Sequence, residues 1–412
     1  MVAMNRMVRV GLAFIVALTA TSCGGGNPPG SDSTGASTVT VAAASNVVSV
    51  VVDGGPTAAS SPNRNTLYTT VTVCVPGSTT QCQTIDHIQV DTGSYGLRIL
   101  APVLTLALPI AVASNGNSLL ECTQFVDGYS WGPVATADVQ VSGETASSVP
   151  VQVIGDPSYS AVPDACASTG TAEDTVASFG ANGIIGIGVF AQDCGAECVS
   201  DPGNNDYYGC TPGGDCVGVQ VALNAQVQNP VPLFAVDNNG TIIDLPSVTE
   251  PGAASLTGSL IFGIDTESNN ASGTQTVITL DPDQGTFTTV YGGQTLTTSF
   301  LDTGTNGIFF NDSTITQCTT DTGFYCPAVT QSLTATITGQ NAVSTTIDFS
   351  IGNAETIIDD NPTFEALPSL GGIYSSSTTS FDWGLPFFYG RRVATAIEGY
   401  STKVNTGPYV AF

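Results

Sequence analysis

The chain has 412 residues, 42% of them hydrophobic, enough for two sizeable cores. Its 34 acidic and 7 basic side chains give a formal charge of −27. Such a surface repels nucleic acid and anionic membranes, which removes nucleic-acid binding from the candidate functions. Short runs of Val, Ile and Thr separated by Gly, Pro, Asn, Asp and Ser predict strands. Long Ala, Leu, Glu and Lys stretches at helical spacing are missing, so the expected fold class is all-β.

At the start, Arg6 and Arg9 precede an apolar run from Val10 to Ala20. That run is too short to span a bilayer as a stable helix, and residues 1–22 read as an export signal. Ala20-Thr21-Ser22-Cys23 resembles a bacterial lipobox, in which the cysteine is lipidated, although Ala20 stands where leucine is usual. The alternative is an ordinary signal peptide cut near the same place. By the lipobox resemblance, Gly24 after the cysteine implies the outer membrane, with the lipid on Cys23 as the only membrane attachment. Residues 23–44, rich in Gly, Ser, Thr and Pro, read as a flexible tether.

Beyond Cys23 an even number of cysteines remains, as expected in an oxidising compartment. Cys74 and Cys82 flank a Pro76-Gly77 turn, and Cys318 and Cys326 enclose another short loop. A short closed loop brings two sulfurs together easily, so these two bridges are expected. Cys194, Cys198, Cys210 and Cys216 form a cluster whose connectivity stays open, which leaves Cys122 and Cys166 for each other. With His87 the only histidine, no metal site is expected.

The most informative feature is an internal repeat. Gln89-Val90-Asp91-Thr92-Gly93-Ser94 and Phe300-Leu301-Asp302-Thr303-Gly304-Thr305 each place Asp-Thr-Gly-Ser/Thr after an apolar strand end, about half the chain apart. One Asp-Thr-Gly is an ordinary turn; two in matching contexts call for a reason. Two carboxylates a few ångströms apart cannot both ionise cheaply and so share a proton. The ionised one can then activate a water while the protonated one donates to a carbonyl oxygen. Gly93 and Gly304 let the loops approach closely. The hydroxyls of Thr92 and Thr303 can bond across to the opposite loop, and Ser94 and Thr305 can each bond their own aspartate.

The repeated loops resemble the active-site loops of pepsin-like aspartic peptidases. Other segments follow in that family's order. Gly183-Ile184-Ile185-Gly186-Ile187-Gly188 resembles the apolar-apolar-Gly segment that buttresses the first catalytic loop. Gly258 to Asp265 resembles the strand opening the second lobe, Gly128 to Val141 the flap hairpin, and Phe381 to Ala396 the closing strands. The wording of these segments is also similar to bacterial lipoproteins of unknown function. The resemblance implies a two-lobed, pepsin-like β-barrel architecture with a cleft between lobes near 45–232 and 233–412. It implies Asp91 and Asp302 as catalytic residues without a cofactor, a monomer, and an extended peptide or unfolded protein as substrate.

Three departures keep other readings open. The family's flap tyrosine bonds a tryptophan seven residues after the first aspartate. Here that place holds Arg98, and the flap position falls on Phe125 or Tyr129. The second apolar-apolar-Gly segment has become Asp382-Trp383-Gly384. Arg98 either lies beside the dyad or points away to a surface carboxylate. A fold kept for binding without turnover, or a structural lipoprotein with no cleft, are the alternatives to a peptidase. A Ser-His-Asp arrangement would need His87, which strand alternation places on the same side as Asp91. No phosphate loop of the Gly-x-x-x-x-Gly-Lys type occurs.

Overall fold

The computed structural model describes residues 45–412 apart from 61–62, 126–127 and 375–376. The expected export signal, Cys23 and the whole of the tether lie outside the described residues. The structure is all-β and two-lobed.

The first half supplies β1 (Val47–Val52), β2 (Leu67–Cys74), β3 (Cys82–Asp91), β4 (Tyr95–Leu100), β5 (Ser118–Gln124), β6 (Gly128–Val141), β7 (Glu144–Ile154), β8 (Thr171–Ala172), β9 (Gly183–Ile187), β10 (Tyr207–Cys210) and β11 (Cys216–Gly218). These strands follow one another laterally in the order β11-β10-β5-β6-β7-β4-β9-β3-β2-β1. The far end of the long strand β6 also pairs with β2, Val73 opposite Val139, which closes β2, β3, β9, β4, β7 and β6 into a barrel. Closure removes the free edges that such Val-rich strands would otherwise expose.

Past β1 the same sheet continues into the second half through β13 (Leu256–Phe262), β12 (Gly240–Asp244), β22 (Arg392–Ala396), β23 (Tyr409–Ala411) and β14 (Val277–Thr279). β1 therefore sits between β2 and β13, and one sheet runs across the junction of the two halves. A second sheet of the second half takes the order β19-β18-β15-β16-β21-β17-β20. Its strands are β15 (Phe287–Tyr291), β16 (Gln294–Leu301), β17 (Ile308–Phe309), β18 (Gln331–Thr338), β19 (Ser344–Ile351), β20 (Gly371–Gly372) and β21 (Asp382–Trp383).

The sequence repeat is a repeat of topology. β9 inserts between β3 and β4, parallel to the first and antiparallel to the second. β21 inserts between β16 and β17 in the same two senses. Both inserted strands are buried along their whole length. A strand covered on both faces reads as a continuous apolar run rather than an alternation, as Ile184-Ile185-Gly186-Ile187 does. The largest apolar cluster runs through both halves, from Val90 and Ile185 to Phe310, Phe381 and Trp383. Phe381 stacks on Phe310 and on Trp383 with ring centroids 4.8 and 4.3 Å apart.

The cysteines pair as Cys74–Cys82, Cys122–Cys166, Cys194–Cys198, Cys210–Cys216 and Cys318–Cys326. Cys210 and Cys216 lie opposite each other in the β10–β11 hairpin, and Cys74 and Cys82 do the same between β2 and β3. Cys194 reaches Cys198 on the short helix Ala196–Ser200. Among the described residues no helix is long and apolar enough to cross a membrane.

Candidate active site

β3 ends on Asp91 and β16 ends one residue before Asp302, so each aspartate leaves a strand directly into its Thr-Gly turn. The two turns are held face to face by reciprocal bonds. Thr92 N donates to Thr303 Oγ1 at 3.1 Å, and Thr303 N donates to Thr92 Oγ1 at 3.0 Å. Each hydroxyl then donates onward to the opposite strand, Thr303 to the Val90 carbonyl and Thr92 to that of Leu301. Gln89 Nε2 adds a bond to the Gly304 carbonyl.

The glycines explain how close the turns come. A Cβ built on Gly93 would lie 2.7 Å from Asp302 Cγ. One built on Gly304 would lie 2.6 Å from Asp91 Oδ1 and 2.9 Å from Asp302 Oδ1. Both carboxylate oxygens thus sit within 2.9 Å of a single point, and any side chain at either glycine would overlap a carboxyl. Each aspartate accepts from its own turn. Gly93 N donates to Asp91 Oδ1 at 2.8 Å and Gly304 N to Asp302 Oδ1 at 2.6 Å. Ser94 Oγ donates to Asp91 Oδ2, and Thr305 Oγ1 donates to Asp302 Oδ2 at 2.9 Å. Asp91 is 1% and Asp302 0% exposed.

The remaining expected residues are placed as follows. Phe125 is buried with Leu100, Ile154 and Phe179, at the turn between β5 and β6. Tyr129, half-buried, packs with Trp131 and Tyr208. The Cys122–Cys166 bridge and the short strand β8 fasten this hairpin along its length.

Arg98 takes neither of the two orientations open from the sequence. It is buried and donates to Glu121 Oε1 at 2.5 Å, Asp193 Oδ2 at 3.0 Å, Thr123 Oγ1 at 2.8 Å and the Tyr95 carbonyl at 2.7 Å. None of these contacts is to a dyad carboxylate, and both paired carboxylates are buried rather than on the surface. The reason is that β4, which carries Arg98, lies within the barrel between β7 and β9.

His87 stands in β3, four residues before Asp91. It has a φ of 47° at a bulge in β3, where the register against β2 slips between Thr69 and Val71. A bulge adds a residue and changes which face follows. His87 lies 3.5 Å from Asp53 and 3.3 Å from Asp86, and its ring meets Tyr68 edge-on. Cys194, Cys198 and Asp206, and Cys318, Cys326 and Glu355, bring ligand-type atoms together. All four sulfurs are in disulfides and offer no thiolate.

Two residues that sequence reasoning missed complete the site. Asn65, buried with a φ of 51°, donates from Nδ2 to the carbonyls of Asn306 and Leu367. It accepts from Leu367 N and Tyr389 OH, so a first-half residue holds the loop that follows Asp302. The second is Asp382, fully buried, whose Oδ2 lies 3.0 Å from Thr305 Oγ1. Its only sequence signal was the break in the second apolar-apolar-Gly segment.

The family model described as "Protein of unknown function (DUF3443)" matches residues 42–412. The chain belongs to that family. No curated protein matches it. Among solved structures, the aspartic proteinase from Irpex lacteus is similar at 16% identity and a TM-score of 0.49, covering 89% of this chain and 96% of that one. The site described above is thus a site of a DUF3443 chain.

Burial raises the proton affinity of several carboxyls in this DUF3443 chain. Asp193 is pushed well above the usual carboxylate range by burial and then by Glu121, and Asp382 by burial and then by Asp91. Asp206 is raised to about 7 by burial and then by the charges on Glu121 and Glu197. In each case the folded state binds a proton more tightly than the unfolded chain, whose aspartates titrate near pH ~4. Stability is therefore fully present below about pH 4 and declines as pH rises towards the folded values, up to about 7 for Asp206. Scanning calorimetry is expected to give a higher unfolding midpoint near pH ~4.5 than near pH ~7.5; a midpoint that rises across that window would contradict these assignments.

Proposed function

We propose that the chain is an aspartic-type endopeptidase. A water at the meeting point of the two Asp-Thr-Gly turns loses a proton to the ionised carboxylate as its oxygen attacks the scissile carbonyl carbon. The protonated carboxyl donates to the carbonyl oxygen, and a proton then passes to the leaving nitrogen as the C–N bond breaks. The substrate is an extended peptide or unfolded protein bound between the lobes. The single observation that supports this most is the mutual approach of Asp91 and Asp302 across two glycines, locked by the crossed Thr92 and Thr303 bonds. A hairpin turn with only a structural role needs no such partner.

The test is digestion of a broad peptide library and of an unfolded protein between about pH 3 and 7. Cleavage is expected below about pH 5, where a dyad holds one proton, and a statine-type transition-state analogue is expected to inhibit it. Two observations favour a second reading, a cleft that binds without turnover. Arg98 replaces the tryptophan partner of the flap, and the dyad carboxyls are shielded, at 1% and 0% exposure. No cleavage anywhere in the range, together with retained binding of the analogue, would establish that second reading.

A further inference from the structure

Asp382 stands where the first half of the molecule has an isoleucine. Gln89 pairs with Ile184 across β3 and β9, and Phe300 pairs with Asp382 across β16 and β21, so the two occupy equivalent places. Both are fully buried. Thr305 Oγ1 lies 2.9 Å from Asp302 Oδ2 and 3.0 Å from Asp382 Oδ2. A hydroxyl has one hydrogen and can serve only one of two carboxylates. If Asp382 were ionised, one of the two short contacts would set lone pairs against lone pairs. Its other oxygen, Oδ1, has no hydrogen-bond partner, which is costly for a buried carboxylate and much less so for a neutral acid.

We infer that Asp382 is a positioning residue that stays protonated, donates to Thr305 Oγ1, and thereby turns the Thr305 hydrogen onto Asp302. The groups facing it are consistent with a neutral acid. Asp302 lies beyond Thr305, one residue past the end of β16, and negative charge on the dyad acts against ionisation. Tyr374, after β20, is kept neutral chiefly by its own burial. Thr305 acts in the other direction, but burial is the largest effect. The dyad is therefore asymmetric. Ser94 serves Asp91 with Ile184 at the corresponding place, whereas Thr305 serves Asp302 with an acid proton behind it. A donor so backed favours the charged form of Asp302, which makes Asp302 the water-activating member and leaves the shared proton on Asp91. The proton on Asp382 stands on the geometry alone; that last consequence rests on the peptidase reading above.

Isotope-edited infrared spectroscopy of the full chain, with carboxyl-labelled aspartate, compares wild type with Asp382→Asn near pH ~6, where ordinary carboxyls are ionised. The difference spectrum is expected to lose one protonated-acid carbonyl band. A difference that shows only a lost carboxylate band overturns the inference. The kinetic arm compares Asp382→Asn, whose amide keeps a donor for Thr305, with Asp382→Leu, which has none but matches the bulk of Ile184. The Asn variant is expected to turn over about fivefold to tenfold faster than the Leu variant at unchanged KM, the scale of one hydrogen bond. Equal turnover in the two variants overturns the positioning role. If wild type cleaves nothing, the peptidase reading fails while the infrared band still decides the state of Asp382.

Discussion

Asp91→Asn and Asp302→Asn are each expected to lower the rate of peptide hydrolysis at least about a thousandfold while leaving thermal stability near that of wild type. On the peptidase reading, each carboxyl does two kinds of work. It accepts from its own turn, and it takes or gives a proton during reaction. Asparagine preserves the first. Its amide oxygen can accept from Gly93 N or Gly304 N, at the present 2.8 and 2.6 Å, and its amide nitrogen can donate to Ser94 or Thr305. It cannot hold or release the catalytic proton. Replacing one of two carboxyls that meet at one point also removes charge repulsion from the folded state. Lost turnover with an unchanged unfolding midpoint therefore indicts chemistry, whereas turnover that survives both substitutions removes the dyad from the mechanism. Binding of a statine-type analogue, followed by calorimetry, separates lost chemistry from lost substrate affinity.

Arg98→Met is expected to destabilise the fold by about 3–5 kcal/mol, measured by denaturant unfolding. The guanidinium is 1% exposed and is the cation that faces Glu121 and Asp193. Asp193 is further bound by the Tyr207 hydroxyl and by Cys194 N, so it has no easy route to water. Methionine fills much of the volume but leaves two buried carboxyls without a counter-charge. Arg98→Lys is expected to recover only part of the loss, because one ammonium cannot reach Thr123, Glu121, Asp193 and the Tyr95 carbonyl in the same fork. Adding Glu121→Gln to Arg98→Met is expected to restore part of the stability, since it removes one of the two stranded charges. An unfolding free energy within about 1 kcal/mol of wild type for Arg98→Met alone would show that the network holds nothing together.

The network also bears on function. It joins β4, which follows the first Asp-Thr-Gly turn, to β5 of the hairpin and to the segment after β9. The place at which the resemblance expects a hydrogen bond to a flap is thus used to fasten the strand that leads into the hairpin. A peptidase built this way would move its hairpin less freely, which is consistent with the buried dyad.

What could be read from the residues alone was local. The Asp-Thr-Gly turns are legible because a tight approach needs glycine and because their apolar strand ends are written beside them, at Val90 and Leu301. The Cys74–Cys82 and Cys318–Cys326 bridges are legible for the same reason: a short loop restricts which sulfurs can meet. The segment Gly183 to Gly188 was legible only through its resemblance to the one that buttresses the first loop, and the structure makes Gly183–Ile187 a strand buried along its length. Only the tertiary structure decided the rest. Cys194, Cys198, Cys210 and Cys216 are close enough in sequence for several pairings, and the choice came from the β10–β11 hairpin. The bulge at His87, which adds one residue to β3 against β2, left no mark in the residues themselves. Arg98, Asn65 and Asp382 act through partners far away in the chain. For Arg98 and Asp382 it is burial, set by strands that pair only after folding, that makes the guanidinium a structural cation and the third carboxyl a neutral acid.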